Sequence, residues 1–311
     1  MRELTVGKND ADQRLDRFLI KVFPRATTSF LQKKIRQKKI KVNHLRAEAG
    51  TFLREGDSVQ IYLYEETLLP LEERRSFPTS SLRLSYAYDG PQFSVIDKPA
   101  GMLSHPANAR DYGKTAVDAF VRDLLQSGEF VPRREKSFVP ALVNRLDMQT
   151  AGLLIGAKNH SAMLLLQQGL KDGSIEKHYL AYVEGAIERE ETIRFPLRTE
   201  NGRSVVDPNG KVCITHVSPL VSRSSFSLVA VRLETGRTHQ IRAHLAATGH
   251  PLIGDRPYGA RYRTNVFSHH LLLSSRLLFH NGEALALSTP FNVYSGQTEQ
   301  FKAMMAIIAP K

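Results

Sequence analysis

The chain has a single cysteine, Cys213, and no tryptophan among its 311 residues. One thiol excludes an internal disulfide and any cysteine-based zinc site, so stability must come from buried apolar surface. Acidic residues are scarce relative to basic ones, 31 against 43, giving a net charge of +12. That balance suits a polyanionic partner, although a merely soluble basic protein has it too. No apolar run approaches the roughly 18 residues of a membrane span, and the opening M-R-E-L-T-V-G-K-N-D lacks the apolar core of a secretory leader. The expectation is a cytoplasmic protein without a membrane partner. There is no repeat of 20–50 residues, no G-x-S-x-G elbow and no G-x-G-x-x-G loop. Gly113-Lys114-Thr115 imitates the end of a P-loop, but Asn108 stands where its first glycine belongs. His239 and His244 are five apart, so on a helix they diverge, unlike the i, i+4 pair of a zinc helix. No metal and no cofactor are expected.

What is present is ample apolar material, 41% of residues, on a chain longer than one hydrophobic core usually serves. Two domains are expected, over residues 1–65 and 82–311, joined by a linker at 66–81 where prolines, serines and mixed charges show neither periodicity. In R-L-D-R-F-L-I-K-V-F-P, Leu15, Phe18, Leu19 and Val22 fall on one helical face, with Arg14, Arg17 and Lys21 off it. Pro24 ends that helix. A second helix is predicted from Ser29, its candidate N-cap, to about Lys38, with Leu31 and Ile35 inward. Lys33, Lys34, Arg36, Lys38, Lys39, Lys41 and Arg46 follow one another with no acid among them. Such a cluster repels itself unless phosphate answers it, the alternative being a solvated charged face. Short strands are predicted at Ile40–Val42 and Ser58–Leu63.

From Leu82 onward strands dominate, with helices interspersed. A hairpin is expected around Asp89-Gly90-Pro91, helices over Thr115–Gln126 and His160–Lys171, and strands over His178–Glu184, Ile214–Leu220, Phe226–Leu233 and Leu271–Phe279. Asp207-Pro208-Asn209-Gly210 reads as a hairpin corner. Strand follows strand too often for a doubly wound parallel fold. The fold class is therefore α+β: a mixed, largely antiparallel sheet with flanking helices, preceded by a small α+β domain.

Two stretches carry the chemistry. In V-N-R-L-D-M-Q-T-A-G-L-L-I-G-A-K, Asp147 lies between Arg145 and the turn Thr150-Ala151-Gly152, just before an apolar run that reads as a buried strand. An acid at the mouth of a strand and beside a guanidinium is favoured as the carboxylate and aimed outward, as a nucleophile is presented; a local loop pair with Arg145 is the alternative. In L-E-T-G-R-T-H-Q-I-R-A-H-L-A-A-T-G-H-P-L-I-G-D-R-P-Y-G, a helix from about His239 to Thr248 is closed by Gly249. Ile241, Leu245 and Thr248 form its inward stripe and Arg242 projects aside, within reach of a carboxylate. Arg237, His239, Arg242 and His244 crowd one short stretch, which suits phosphate and base contacts.

With I-D-K-P-A-G-M-L-S-H-P and E-K-H-Y-L-A-Y-V-E-G, these blocks resemble, in order and spacing, the RluA-type pseudouridine synthases. Likewise R-L-D-R-F-L, S-F-L-Q-K-K-I-R-Q-K-K-I-K-V-N and R-E-G-D-S-V resemble the small RNA-binding domain of a ribosomal small-subunit protein, tyrosyl-tRNA synthetases and several RNA-modifying enzymes. The two resemblances together cover nearly the whole chain. The first implies that Asp147 is catalytic, that Arg145 helps displace the target uridine, that Tyr179 packs on the uracil ring and that Arg242 pairs with the catalytic carboxylate. The second implies RNA contacts from the second helix and the loop after it. RNA is the implied partner, ribosomal RNA ahead of transfer RNA, and a monomer suffices. A non-catalytic RNA-binding or ribosome-assembly protein is the alternative. The sequence departs from the family pattern at Asn144, where relatives commonly have His, at Ala151, where they have Ser, and at Ser274-Ser275, where they have His-Ala. These departures put in doubt a fine contact from position 144 and the packing of the last strand near the cleft.

Overall fold

The computed structural model describes residues 1–72, 77, 79–132, 137–262 and 269–308. The chain opens with strand β1 (Arg2–Thr5), a 3-10 turn at Lys8–Asp10, β2 (Gln13–Arg14), and helices α1 (Leu15–Val22) and α2 (Thr28–Arg36). β3 (Ile40–Val42), β4 (Leu45–Arg46), β5 (Phe52–Leu53), β6 (Ser58–Ile61) and helix α3 (Glu65–Leu68) follow. β1, β6, β3 and β4 make a four-stranded antiparallel sheet. Leu15, Phe18 and Leu19 of α1 and Leu31 and Ile35 of α2 close its core, as their helical spacing predicts. α2 begins one residue earlier than expected. Its cap is Thr27, whose hydroxyl accepts the Phe30 N–H at 3.2 Å, so Ser29 lies inside the helix. The segment expected as a linker starts as α3, and its Leu68 is buried with Leu15 and Phe18. Residues 73–76 and 78 of that segment lie outside the described residues.

The larger unit is built on ten strands. They are β7 (Tyr86–Asp89), β8 (Phe93–Lys98), β9 (Ala141–Leu142), β10 (Ala151–Ala157), β11 (Ile175–Glu184), β12 (Glu191–Ile193), β16 (Thr215–Ser222), β17 (Phe226–Leu233), β18 (Leu272–Phe279) and β19 (Phe291–Tyr294). Three more, β13 (Pro196–Glu200), β14 (Arg203–Val206) and β15 (Lys211–Val212), form a separate small sheet. The main order is β12-β16-β17-β11-β18-β10-β8-β7, with β19 beside β18 and β9 beside β10. Every pairing is antiparallel except β10 with β18, which meet in parallel at Ala151 and Gly152. The fold is the mixed, mostly antiparallel α+β arrangement the strand density predicts. Helices α4 (Ala116–Ser127), α5 (His160–Asp172), α6 (Gln240–Ala247), α7 (Thr298–Ala303) and α8 (Met305–Ile308) complete it. Among the described residues no helix is long and apolar enough to cross a membrane.

One turn departs from its expected role. Asp207–Gly210 does close tightly, the Gly210 N–H donating to the Asp207 carbonyl at 2.8 Å, but β14 and β15 on either side of it do not pair with each other. Both pair with β13, from opposite edges, so the turn carries the chain across that strand instead of folding a hairpin.

The two cores touch through buried polar groups. Asp10, with no exposed surface, accepts the Ser137 N–H at 2.6 Å and its hydroxyl at 2.7 Å. Gln13 donates to the same hydroxyl at 2.8 Å, and the His160 N–H that opens α5 donates to Asn9 Oδ1 at 3.3 Å.

Candidate active site

The loop from Asn144 to Thr150 enters β10, and every second residue of it is fastened. Asn144 donates its amide to the Leu153 carbonyl at 3.3 Å and accepts the Ile155 N–H at 2.7 Å, so this side chain stitches the loop to its own strand. The Leu146 N–H donates to Ser104 Oγ, which returns its proton to the Leu146 carbonyl at 2.8 Å. The Met148 carbonyl accepts from Gly101 N–H at 2.9 Å and from Lys98 Nζ at 3.1 Å. Lys98 has no exposed surface; it also donates to the carbonyls of Pro99 and Met102. Burial pulls its pKa down to about 8, against the pull of the Asp147 charge. Thr150 ends the loop, its N–H donating to the Asp147 carbonyl at 3.0 Å. A loop held this way points the Asp147 side chain, 26% exposed, in one direction.

Arg242 meets it from α6. Its Nη1 donates to Asp147 Oδ2 at 2.9 Å, while Nε and Nη2 grip Asp255 at 2.7 and 2.8 Å. Asp255 is fully buried, so the guanidinium is anchored behind and presents one edge to the loop. Its carbon sits 4.9 Å from the centre of the Tyr258 ring, a cation–π contact. The Tyr258 hydroxyl lies 3.1 Å from His239 Nδ1 and donates to the Ser204 carbonyl at 3.1 Å. His239, in the left-handed conformation at the N-cap of α6 (φ 52°), brings Nε2 to 3.5 Å from Asp147 Oδ2. Burial lowers the His239 pKa, with the Asp147 charge opposing. Both contacts fall on Oδ2; no described residue pairs with Oδ1.

Tyr179 lies on β11 opposite Ser274 of β18 and Val231 of β17, and is almost wholly buried. Burial pushes its phenol up, a bond to Ser274 opposing and the Asp147 charge assisting. Ser274 in turn faces Gly152, whose φ of +104° and 2.1 Å clearance from the Ser274 carbonyl to a would-be Cβ leave no room for a side chain. Ser274 therefore sits beside the cleft, whereas Ser275 turns the other way and donates its hydroxyl to the His178 carbonyl at 3.2 Å.

Asp147, Tyr179, Arg145, Arg237, His239 and Arg242 line one cleft, which opens into a groove of about 720 Å³. The structure brings these six together. It corrects three readings of them and their neighbours. Arg145 is exposed and is not the partner of Asp147; Arg242 takes that place because α6 delivers it across the sheet. His244 is buried and gives Nε2 to the Phe195 carbonyl at 3.1 Å, so it belongs to the packing and not to the RNA-facing group. Arg242 itself is buried between two acids rather than exposed to phosphate.

The basic residues of the first unit lie apart from this cleft. Arg17, Lys33, Arg36, Lys38 and Lys39 are exposed, Lys34 and Lys41 are half-buried over the rings of Phe30 and Tyr62, and none of the seven forms an ion pair among the described residues. Arg14 differs: it is clamped to Asp16 through two bonds, at 3.1 and 2.7 Å. Asp255, Tyr258, Lys98 and His270 were not singled out from sequence. The G-D-R-P-Y-G stretch that holds two of them begins at Gly254, shortly after the Arg242 helix ends at Ala247, and nothing local in it shows that it folds back beneath the guanidinium.

Residues 92–247 match the model of the RNA pseudouridylate synthase family. The chain is 35% identical over 260 residues to ribosomal large subunit pseudouridine synthase D of Nitrosomonas europaea, covering 83% of this chain and 72% of that protein. It is 31% identical over 288 residues to ribosomal large subunit pseudouridine synthase C of Buchnera aphidicola, covering 89% and 86%. Among solved structures, human RNA pseudouridylate synthase domain containing 4 superposes with a TM-score of 0.55 at 20% identity, over 73% of this chain and 95% of that one, a likeness of fold. Matched across the segment that carries both Asp147 and Arg242, the chain belongs to the RNA pseudouridylate synthases, the enzymes that isomerise uridine in RNA.

Proposed function

We propose that Asp147 is the catalytic carboxylate of this synthase and that its substrate is ribosomal RNA. The observation that carries the first part is the 2.9 Å pair between Arg242 and one oxygen of an acid that stays partly exposed in a groove. Isomerisation breaks the bond from the ribose anomeric carbon to N1, turns the base and rejoins it through C5, whose proton is lost as N1 gains one. No atom or electron is exchanged with a cofactor. The carboxylate acts either as nucleophile or as acceptor of a ribose proton, and Oδ1 serves both roles.

A uridine inside a helix cannot reach this acid. It is flipped out at a cost of a few kcal/mol, with Arg145 at the mouth filling the gap and Tyr179 receiving the ring. Arg237 and His239 take the neighbouring backbone. The first unit, with Lys33, Lys34, Arg36, Lys38, Lys39, Lys41 and Arg17, acts as an RNA-binding module that adds sequence-tolerant phosphate affinity. Ribosomal RNA is favoured over transfer RNA because the relatives from Nitrosomonas and Buchnera are named for the large ribosomal subunit. The reading is completed by a cytoplasmic, monomeric enzyme.

Replacing Asp147 by Asn should abolish tritium release from RNA labelled at uridine C5 while RNA binding persists. Retained turnover would remove Asp147 from this role. The same assay separates the enzyme from a non-catalytic assembly factor. Carbodiimide-blocked reverse transcription of ribosomal RNA, with and without the gene, identifies the uridine.

A further inference from the structure

One buried hydrogen bond joins the two halves of the Asp147–Arg242 pair from behind. His270, 5% exposed, lies just before β18, and its Nε2 is 2.8 Å from the hydroxyl of Thr150. Thr150 is 2% exposed and closes the Asp147 turn through its own N–H. The backbone around His270 is registered against the segment that carries Asp255. The Leu271 N–H donates to the Ile253 carbonyl at 3.0 Å, and a Cβ on Gly254 would come within 2.3 Å of the His269 carbonyl. One imidazole therefore links the segment registered against the turn that carries Asp255 to the loop that holds the acid.

We propose that His270 is a positioning residue for the isomerisation, setting the separation and orientation of the Asp147 carboxylate and the Arg242 guanidinium through Thr150. This rests on the reading of Asp147 as the catalytic acid. The geometric reason is that Asp147 is attached to Arg242 through a single oxygen, which fixes a distance but leaves rotation about that contact free. The turn closed by Thr150 must supply the missing restraint, and the Thr150 side chain has one hydrogen-bonding neighbour among the described residues, His270. The imidazole works here as a neutral group: burial and the charge of Arg242 take its pKa down to about 3. A neutral amide of similar reach can replace it.

The test is steady-state kinetics on ribosomal RNA fragments for His270→Leu, His270→Gln, Thr150→Val and the double variant His270→Leu/Thr150→Val. Asp147→Asn serves as control, and all assays run at a temperature where circular dichroism finds each protein folded. A displacement of about 1 Å at a reacting group costs on the order of a hundredfold in rate. The expected result is a fall in kcat of about ten- to a hundredfold for His270→Leu with KM unchanged. Thr150→Val should match it, the double variant should fall no further, and His270→Gln should recover most of the rate. Wild-type kcat in His270→Leu, a loss seen only in KM, or equal loss in the Gln and Leu variants would each overturn the inference while the inactive Asp147→Asn left the catalytic reading intact. An active Asp147→Asn would instead remove the reading beneath it.

Discussion

The two acids on Arg242 are not equivalent. Asp255 takes two of its bonds and has no exposed surface, whereas Asp147 takes one and keeps a quarter of its side chain open to the groove. Asp255 is thus the structural half of the pair, and Asp147 is the half the proposed function makes reactive. Removing one member of a buried ion pair leaves the other charge without compensation, a loss of about 3–5 kcal/mol. Asp255→Ala should therefore lower stability in urea by that amount and depress kcat as Arg242 loses its anchor. Arg242→Lys should depress kcat as well, because an ammonium cannot make the two parallel bonds that the guanidinium makes to Asp255. Unchanged unfolding midpoints for Asp255→Ala would show that the pair carries no such load. Asp147 and Arg242 were legible in the sequence because each sits in a dense local pattern. Asp255 and Tyr258 were not, since their significance lies in a return of the chain that no spacing rule encodes.

The helix carrying Arg242 shows where periodicity misleads. Its residues predict an inward stripe of Ile241, Leu245 and Thr248 with Arg242 projecting aside, yet Gln240 through Leu245 are all buried and Thr248 is only half-buried. The cause is its setting between the main sheet and the small β13–β15 sheet, so polar residues such as Gln240 and His244 are buried against carbonyls that the helix alone cannot reveal. The strands fared better. β17 has the predicted bounds and β18 begins one residue late, because apolar runs closed by turn residues define a strand from within. Where two strands meet, however, a single position governs the fit. Gly152→Ala would force a left-handed alanine into the Ser274 carbonyl, the backbone of the strand beside Tyr179. A loss of about 2–4 kcal/mol is expected from the combined strain and overpacking, read by denaturant unfolding. Wild-type stability would mean that β10 and β18 are farther apart than described.

Over the whole chain, the net charge of +12 is divided between a groove with one partly exposed acid and a first unit in which Lys33, Lys34, Lys38, Lys39 and Lys41 form no ion pair among the described residues. Each cation withdrawn from a phosphate should flatten the dependence of log affinity on log salt by about one. Changing Lys33, Lys34, Lys38 and Lys39 together to Gln should therefore reduce that slope by up to about four and weaken RNA binding at low salt. An unaltered slope would mean that this face does not meet RNA. The α+β class and the basic cluster were legible from composition and periodicity, but the way the first unit rests on the second was not, because Asp10 reaches Ser137 across more than a hundred residues. A carboxylate sealed between two cores and answering the donors of the other one loses its partners when either core opens, which couples the melting of the two. Differential calorimetry should record one cooperative endotherm for the intact protein, and Asp10→Ala should split it into two. Two endotherms from the unaltered chain would mean that this bridge does not join the melting of one core to that of the other.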